Sequence, residues 1–234
     1  MINELIFLFH IVVATTLTIF ACKYGGKIYL FTLIAIQSVL ANLFVIKQIN
    51  LFSMPVTTTD AYIVSCSIGI SLLAEFYGRS EVKKALLLQS FVMVFYLLMS
   101  KVQMQYLPNA FDDTNNSFNL ILKSSFRIII ASIFSIVVSE FIGSRFFIYF
   151  KKKNIIKTLT NRIFICLIIS QSFDTVLFSF LGLYKLVHSI KSIMIFSFLI
   201  KSLTILISTS VIKFLKKFIS IKQEDKKVIN NDTI

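Results

Sequence analysis

Two prolines, six glycines, three cysteines, two histidines and no tryptophan occur in 234 residues, of which only 11 are acidic. Several classes of chemistry fall away with them. No glycine-rich loop can cradle a phosphate, no histidine pair has zinc-ligand spacing, and no serine sits in a nucleophile elbow. His10 and His188 are isolated, so neither reads as catalytic, and no motif for using ATP is present. Cys22, Cys66 and Cys166 lie in or beside apolar runs without metal-ligand spacing and read as packing residues. The expectation is a chain with neither metal nor cofactor.

What the chain has in abundance is apolar surface. Hydrophobic residues make up 56% of it and the mean hydropathy is +0.84, too high for an ordinary soluble domain. It reads as an integral membrane protein. The net charge of +13 would suggest nucleic acid as a partner in a soluble protein. Here the basic residues fall between and after the apolar runs, as in loops beside an anionic leaflet, so the expected partner is the lipid bilayer and not nucleic acid.

Seven apolar runs follow one another, at about 2–21, 28–46, 61–77, 85–104, 120–150, 163–184 and 192–212. They predict an all-α polytopic transmembrane helix bundle over residues 1–217, with 218–234 as a charged cytoplasmic tail. Cys22 after the first run superficially resembles the end of a lipoprotein signal. Glu4 stands where such signals carry positive charge, so the run reads as a retained helix. Ser53-Met54-Pro55 breaks the chain between the second and third runs, and Thr57, Thr58, Thr59 and Asp60 are placed to cap the next helix. The connection QYLPNAFDDTNNSF is the most soluble one. With seven crossings, sixteen basic residues fall on one side (Lys23, Lys27, Arg79, Lys83, Lys84, Lys151, Lys152, Lys153, Lys157, Arg162 and six tail lysines). Five fall on the other (Lys47, Lys101, Lys123, Lys185 and Lys191), which predicts an outside N-terminus and a cytoplasmic C-terminus.

The sixth run holds the polar cluster Ser170-Gln171-Ser172-Phe173-Asp174-Thr175 near its middle. Ser170, Gln171 and Asp174 are three or four residues apart and share one helix face. That face cannot point at lipid, because an aspartate at mid-membrane depth costs about 2.5–3.5 kcal/mol even on lenient insertion scales. Other runs carry similar stripes: Ser38 and Asn42; Ser67, Ser71 and Glu75; Ser124, Arg127, Ala131, Ser135 and Ser139; Ser197, Lys201, Thr204 and Ser208. The charges Glu75, Arg127, Asp174 and Lys201 fit a structural ion-pair network holding the bundle together. They also fit a polar pocket, which the set favours because each charge would be cheaper to omit than to pair. Phe76, Tyr77, Phe173, Phe178 and Phe180 could stack on a flat ligand, a weak signal among 25 phenylalanines.

In chain order, ANLFVIKQINLF with Asn42 and Lys47, LLAEFYG with Glu75 and Gly78, Arg127 before IIIAS, SQSFDTVLF with Asp174, and Lys201 in the last run resemble the queuosine precursor transporter family, also called the vitamin uptake transporter family. The similarity runs from about Ser38 to about Thr209, and EFYG and SFDTVLF are its strongest pieces. Two departures stand out. Ser71 occupies a position where family members commonly have aspartate, and a proline often found late in the last helix is absent around Ser208 and Thr209. The first run lies outside the similar region, leaving six core helices plus one extra N-terminal helix.

The resemblance implies a transporter, not an enzyme, that imports a 7-deazapurine base, either a queuosine precursor or queuine, across the inner membrane for modification of transfer RNA. A guanine-like edge offers two adjacent N–H donors that a carboxylate can accept as a pair, and a carbonyl that an amide or cation can meet. Asp174 is the expected acceptor, with Asn42, Gln171 and Lys201 completing the substrate contacts and Glu75 and Arg127 forming a gate or charge pair. Alternating access would use Gly78 and the Pro55 connection as hinges. Two other readings stay open: a substrate-binding membrane subunit that needs a separate ATPase module, and an intramembrane enzyme using Asp174 and Glu75 as acid and base. A homo-oligomer or an energising subunit also stays open as a partner.

Overall fold

The computed structural model describes residues 2–45, 47–52, 54–122, 126–184 and 190–215, with the side chains of Gln48, 54–55, 126–129, Leu183 and Ser192 outside that description. The expected tail, 218–234, and the side chain of Arg127 lie outside the described residues. Among the described residues the regular structure is helical apart from one hairpin. Its elements are α1 (Ile2–Phe20), α2 (Gly26–Phe44), β1 (Gln48–Leu51), β2 (Met54–Thr57), α3 (Asp60–Phe76), α4 (Gly78–Gln103), α5 (Asn115–Leu122), α6 (Phe126–Lys152), α7 (Leu159–Phe178) and α8 (Ile190–Phe214). π-helical turns follow α1 (Ala21–Gly25) and α7 (Ser179–Leu183).

Among the described residues five stretches are long and apolar enough to cross a membrane: Ile2–Phe44, Gly78–Gln103, Ile130–Lys152, Leu159–Gly182 and Ile193–Phe214. The first is not one straight rod. Gly26 takes φ +61°, a conformation that favours glycine, and the chain reverses there. As a result Gln37 of α2 reaches back to Thr18 of α1, and Asn3 at the start of α1 donates to the Asn50 carbonyl beyond the end of α2. Gly78, at φ +81°, makes the matching sharp turn between α3 and α4.

α3 has 17 residues, about 25 Å of helix, shorter than a full hydrocarbon core of about 30 Å. Its position explains why it tolerates so modest a length and so polar a sequence. Every residue from Val64 to Ala74 is buried, and α1, α2, α4, α6, α7 and α8 all pack on it. Small residues such as Ser65, Ser67 and Gly69 let these neighbours approach: a Cβ at Gly69 would stand 2.9 Å from Ile34 of α2.

Charge and apolar bulk are distributed the opposite way from a soluble protein. Phe91 and Phe9 are each 69% exposed, while Glu140 is 3% exposed and Asp174 and Lys201 are 4%. A polar interior within an apolar jacket is the arrangement a bilayer demands, and the chain is a multi-pass membrane protein.

The two ends of the bundle differ. At one, β1 pairs antiparallel with β2 from Gln48 against Thr57 to Leu51 against Met54, and this hairpin sits beside the start of α1, where Phe52 N–H donates to Glu4. Beneath it lies a small apolar cluster of Phe7, Ile11, Leu51, Ala61 and Ile200. At the other, basic end, Lys27 meets Glu81 at 3.5 Å, and a larger apolar cluster that includes Ile34, Leu73, Phe147, Ile163 and Ile212 fills the interior. The expected connection at Ser53-Met54-Pro55 is thus a hairpin. The expected 120–150 run corresponds to the end of α5 and most of α6.

Candidate functional site

The polar face of α7 is turned into the bundle. Gln171, Asp174 and Thr175 are all buried there, with Asp174 and Thr175 each about one helical turn on from Gln171. Asp174 accepts a hydrogen bond from the Lys201 ammonium of α8, with both side chains almost sealed from solvent. Gln171 donates from its amide to Ser67 Oγ of α3 at 2.9 Å, and Ser67 is in turn hydrogen bonded to the Glu140 carboxyl of α6. Asp60 opens α3 two turns from Ser67 and on the same face. Lys201 therefore interacts with carboxylates from three helices, Asp174, Asp60 and Glu140.

Three polar atoms around this cluster have no partner among the described residues: Gln171 Oε1, Thr175 Oγ1 and Ser135 Oγ. Buried polar groups are rarely left so, because each unsatisfied group costs about 1–3 kcal/mol. Open acceptors and hydroxyls beside a charged pair are the chemistry of a ligand site for a small polar molecule. The cluster lies between the two apolar layers, with Ile200 of one and Ile205 of the other flanking Lys201 in sequence. Among the described residues no group of three or more His, Cys, Asp or Glu side chains is placed to hold a metal ion.

Gln171, Asp174 and Lys201 are thus brought together, and two partners join them that the sequence reading does not place there. Asp60 reads from sequence as a helix cap, yet Thr59 and Asp60 make no side-chain capping bond to α3, and Asp60 is 7% exposed within the cluster. Glu140 is adjacent to the Ser135 and Ser139 stripe but about 100° further round the helix. Its signal was the same as that of Asp174, a lone carboxylate inside an apolar run, SIVVSEFIGS.

Asn42 stands elsewhere. Its amide donates to the Ser38 carbonyl at 3.1 Å and approaches Met93 Sδ of α4 at 3.8 Å. It borders a second buried seam, in which Gln89 donates to Ser38 Oγ at 2.7 Å and Thr18, Gln37 and Ser65 bond one another. These bonds tie α1, α2, α3 and α4 together; Gln37 Oε1 and Gln89 Oε1 remain open.

Glu75 closes the basic end of the bundle. Arg162 of α7 donates to its carboxylate at 2.7 Å, and Lys151 of α6 approaches the same oxygen at 3.4 Å and also donates to the Glu75 backbone carbonyl. The Arg162 guanidinium lies 5.2 Å from the Phe147 ring centroid, which supports it from below. Three helices are thereby clamped between the Asp174 cluster and that end. Beside the clamp is a cleft of about 560 Å³ lined by Gly78, Arg79, Arg145, Lys151 and Lys152 among others.

The profile of one protein family, described as "putative vitamin uptake transporter", matches residues 61–215. No curated protein and no solved structure matches the chain. The matched segment begins just after Asp60 and takes in Ser67, Glu75, Glu140, Gln171, Asp174 and Lys201, while α1, α2 and Asn42 precede it. With 155 of 234 residues matched, including nearly all of the helices that build the buried cluster, the chain belongs to the vitamin uptake transporter family.

Proposed function

We propose that this protein imports a 7-deazapurine base, a queuosine precursor or queuine, across the inner membrane by alternating access, as a transporter and not an enzyme. The observation that carries the reading is the buried Asp174–Lys201 pair with the open Gln171 and Thr175 atoms beside it. Asp174 accepts the paired N–H donors of the guanine-like edge, displacing Lys201 toward the ring carbonyl. Gln171 supplies an acceptor for a further N–H. Asn42 joins the contacts when the α2–α4 seam shifts toward α7.

The bundle crosses the membrane seven times in this reading, as six core helices, α2, α3, α4, α6, α7 and α8, plus α1. The N-terminus is outside and the basic end is cytoplasmic. Glu75 and its two cations form the cytoplasmic gate, and Gly78 is the hinge on which α4 moves against α3.

The test is a host that cannot make queuosine and lacks its own importer, expressing this chain and fed each candidate base at low concentration. Queuosine in transfer RNA is read by retardation on a boronate gel, with the later enzymes supplied. Restoration by one base names the substrate. Failure with every base, despite confirmed membrane insertion, would sink the substrate assignment.

A further inference from the structure

Around Lys201 the charges do not balance. Asp60, Glu140 and Asp174 are all buried on its surroundings, and its ammonium is committed to Asp174. The Cys66 thiol of α3 is turned to α2, where it donates to the Ile34 carbonyl at 3.2 Å, and it adds no positive charge. The side chain of Arg127, on the same helix as Glu140, lies outside the described residues. Among the described residues no cation other than Lys201 acts on the cluster. One cation opposite three carboxylates leaves charge that a low-dielectric interior does not tolerate.

The hydrogen bonding around Glu140 indicates where one charge of that excess is neutralised. Ser67 has one hydroxyl proton and two acceptors within reach, the Glu140 carboxyl and the Ile63 carbonyl at 3.1 Å. Its oxygen already accepts from Gln171. When Glu140 is ionised, Ser67 must choose one acceptor. When Glu140 carries a proton and donates it to Ser67 Oγ, Ser67 is free to donate to Ile63, and all three contacts are made at once. Gln171, fully buried, holds its amide to this junction and leaves Oε1 open within the cluster.

We propose that Glu140 is a proton-binding site coupled to transport: it takes up one proton from the side at which substrate enters and releases it on the other side, so that a proton gradient drives accumulation. The stoichiometry is one proton bound and one released per cycle, with no bond made or broken in the substrate. This deepens the transporter reading, and its first test does not depend on which substrate is carried. Purified full-length protein in lipid, without substrate, is compared by infrared difference spectroscopy at neutral and alkaline pH, where exposed carboxyls stay ionised throughout. A protonated-carboxyl band is expected in the wild type, retained in Asp174→Asn, absent in Glu140→Gln and shifted in frequency in Glu140→Asp. A band unaffected by either Glu140 variant would overturn the proposal. The second test uses vesicles loaded with the base identified by uptake: Glu140→Gln should retain counterflow exchange and lose accumulation driven by a proton gradient. Gradient-driven accumulation equal to wild type, or accumulation driven by a sodium gradient alone, would overturn it as well. Failure of every base to enter would refute the substrate reading and leave the carboxyl band to decide Glu140.

Discussion

Gly143 of α6 lies directly against Ser170 of α7: a Cβ on the glycine would stand 2.7 Å from the Ser170 Cβ and 3.5 Å from the Cys166 carbonyl. This contact is one helical turn from Glu140 and one from Asp174. The closeness of the two helices is what lets Glu140 and Gln171 share Ser67.

Replacing Gly143 with leucine forces α6 and α7 apart. Overpacking of this kind costs about 1–3 kcal/mol. The expected result is a lower melting temperature in detergent together with reduced uptake, while alanine gives a smaller loss of both. A Gly143→Leu variant as stable and active as wild type would show that the helices need not approach so closely.

The buried Asp174–Lys201 pair predicts an asymmetry between single and double variants. Asp174→Asn or Lys201→Met alone leaves one partner's charge buried without the other, a loss of about 3–5 kcal/mol for a well-buried pair. The double variant removes both charges and should recover much of the thermal stability without recovering uptake. Recovery of uptake in the double variant would make the pair structural only.

Glu75 and Arg162 are predicted to set the closed state at the basic end. Arg162→Ala removes the 2.7 Å contact and the ring-supported guanidinium. A lost hydrogen bond to a charged group is worth about 1.5–3 kcal/mol. Cysteine placed at Ser71, buried one helical turn inside Glu75, should then label faster with a water-soluble maleimide than in the unaltered clamp. Unchanged labelling would remove Glu75 and Arg162 from the gate.

Outside the membrane, Asp112 shapes the turn before α5. It accepts from the Thr114 hydroxyl at 2.7 Å, the Thr114 N–H at 2.9 Å and the Asn115 N–H at 3.1 Å. The Thr114 hydroxyl first, and then the backbone donors, hold its carboxyl below the usual range. A carboxyl made more acidic by folding supports the folded form above its unfolded value and loses that support as pH falls through the folded value. Protection of the Thr114 and Asn115 amides, measured against the intrinsic exchange rate at each pH, should therefore fall only at acidic pH in the wild type and at all pH values in Asp112→Ala, with uptake unaltered. Exchange in Asp112→Ala that matches wild type would dismiss the turn.

The legible part of this protein is what the bilayer imposes on any chain that crosses it. Apolar runs of about twenty residues had to be helices, since a helix is one of only two ways to satisfy a backbone in lipid. A carboxylate or ammonium within such a run had to face inward, so the faces carrying Gln171 and Asp174 on α7 and Lys201 on α8 follow from three- and four-residue spacing alone. The hairpin was less visible, because four-residue strands around Pro55 carry too little pattern to tell from a break.

Which inward face meets which is another matter. Helical spacing fixes the direction of a side chain on its own helix and says nothing about its neighbour, so the partnerships were decided by packing. Asp174 meets Lys201 from 27 residues away, Ser67 meets Glu140 across 73, and Glu75 meets Arg162 across 87. Asn42 points inward as its spacing requires, yet lies in the α2–α4 seam because α3 fills the space between. Small residues at Gly69 and Gly143 let the helices approach closely enough for these long-range bonds. Only in the folded bundle does Glu140, one carboxylate among several in the sequence, become a buried acid that shares a serine with Gln171 and has no cation of its own among the described residues.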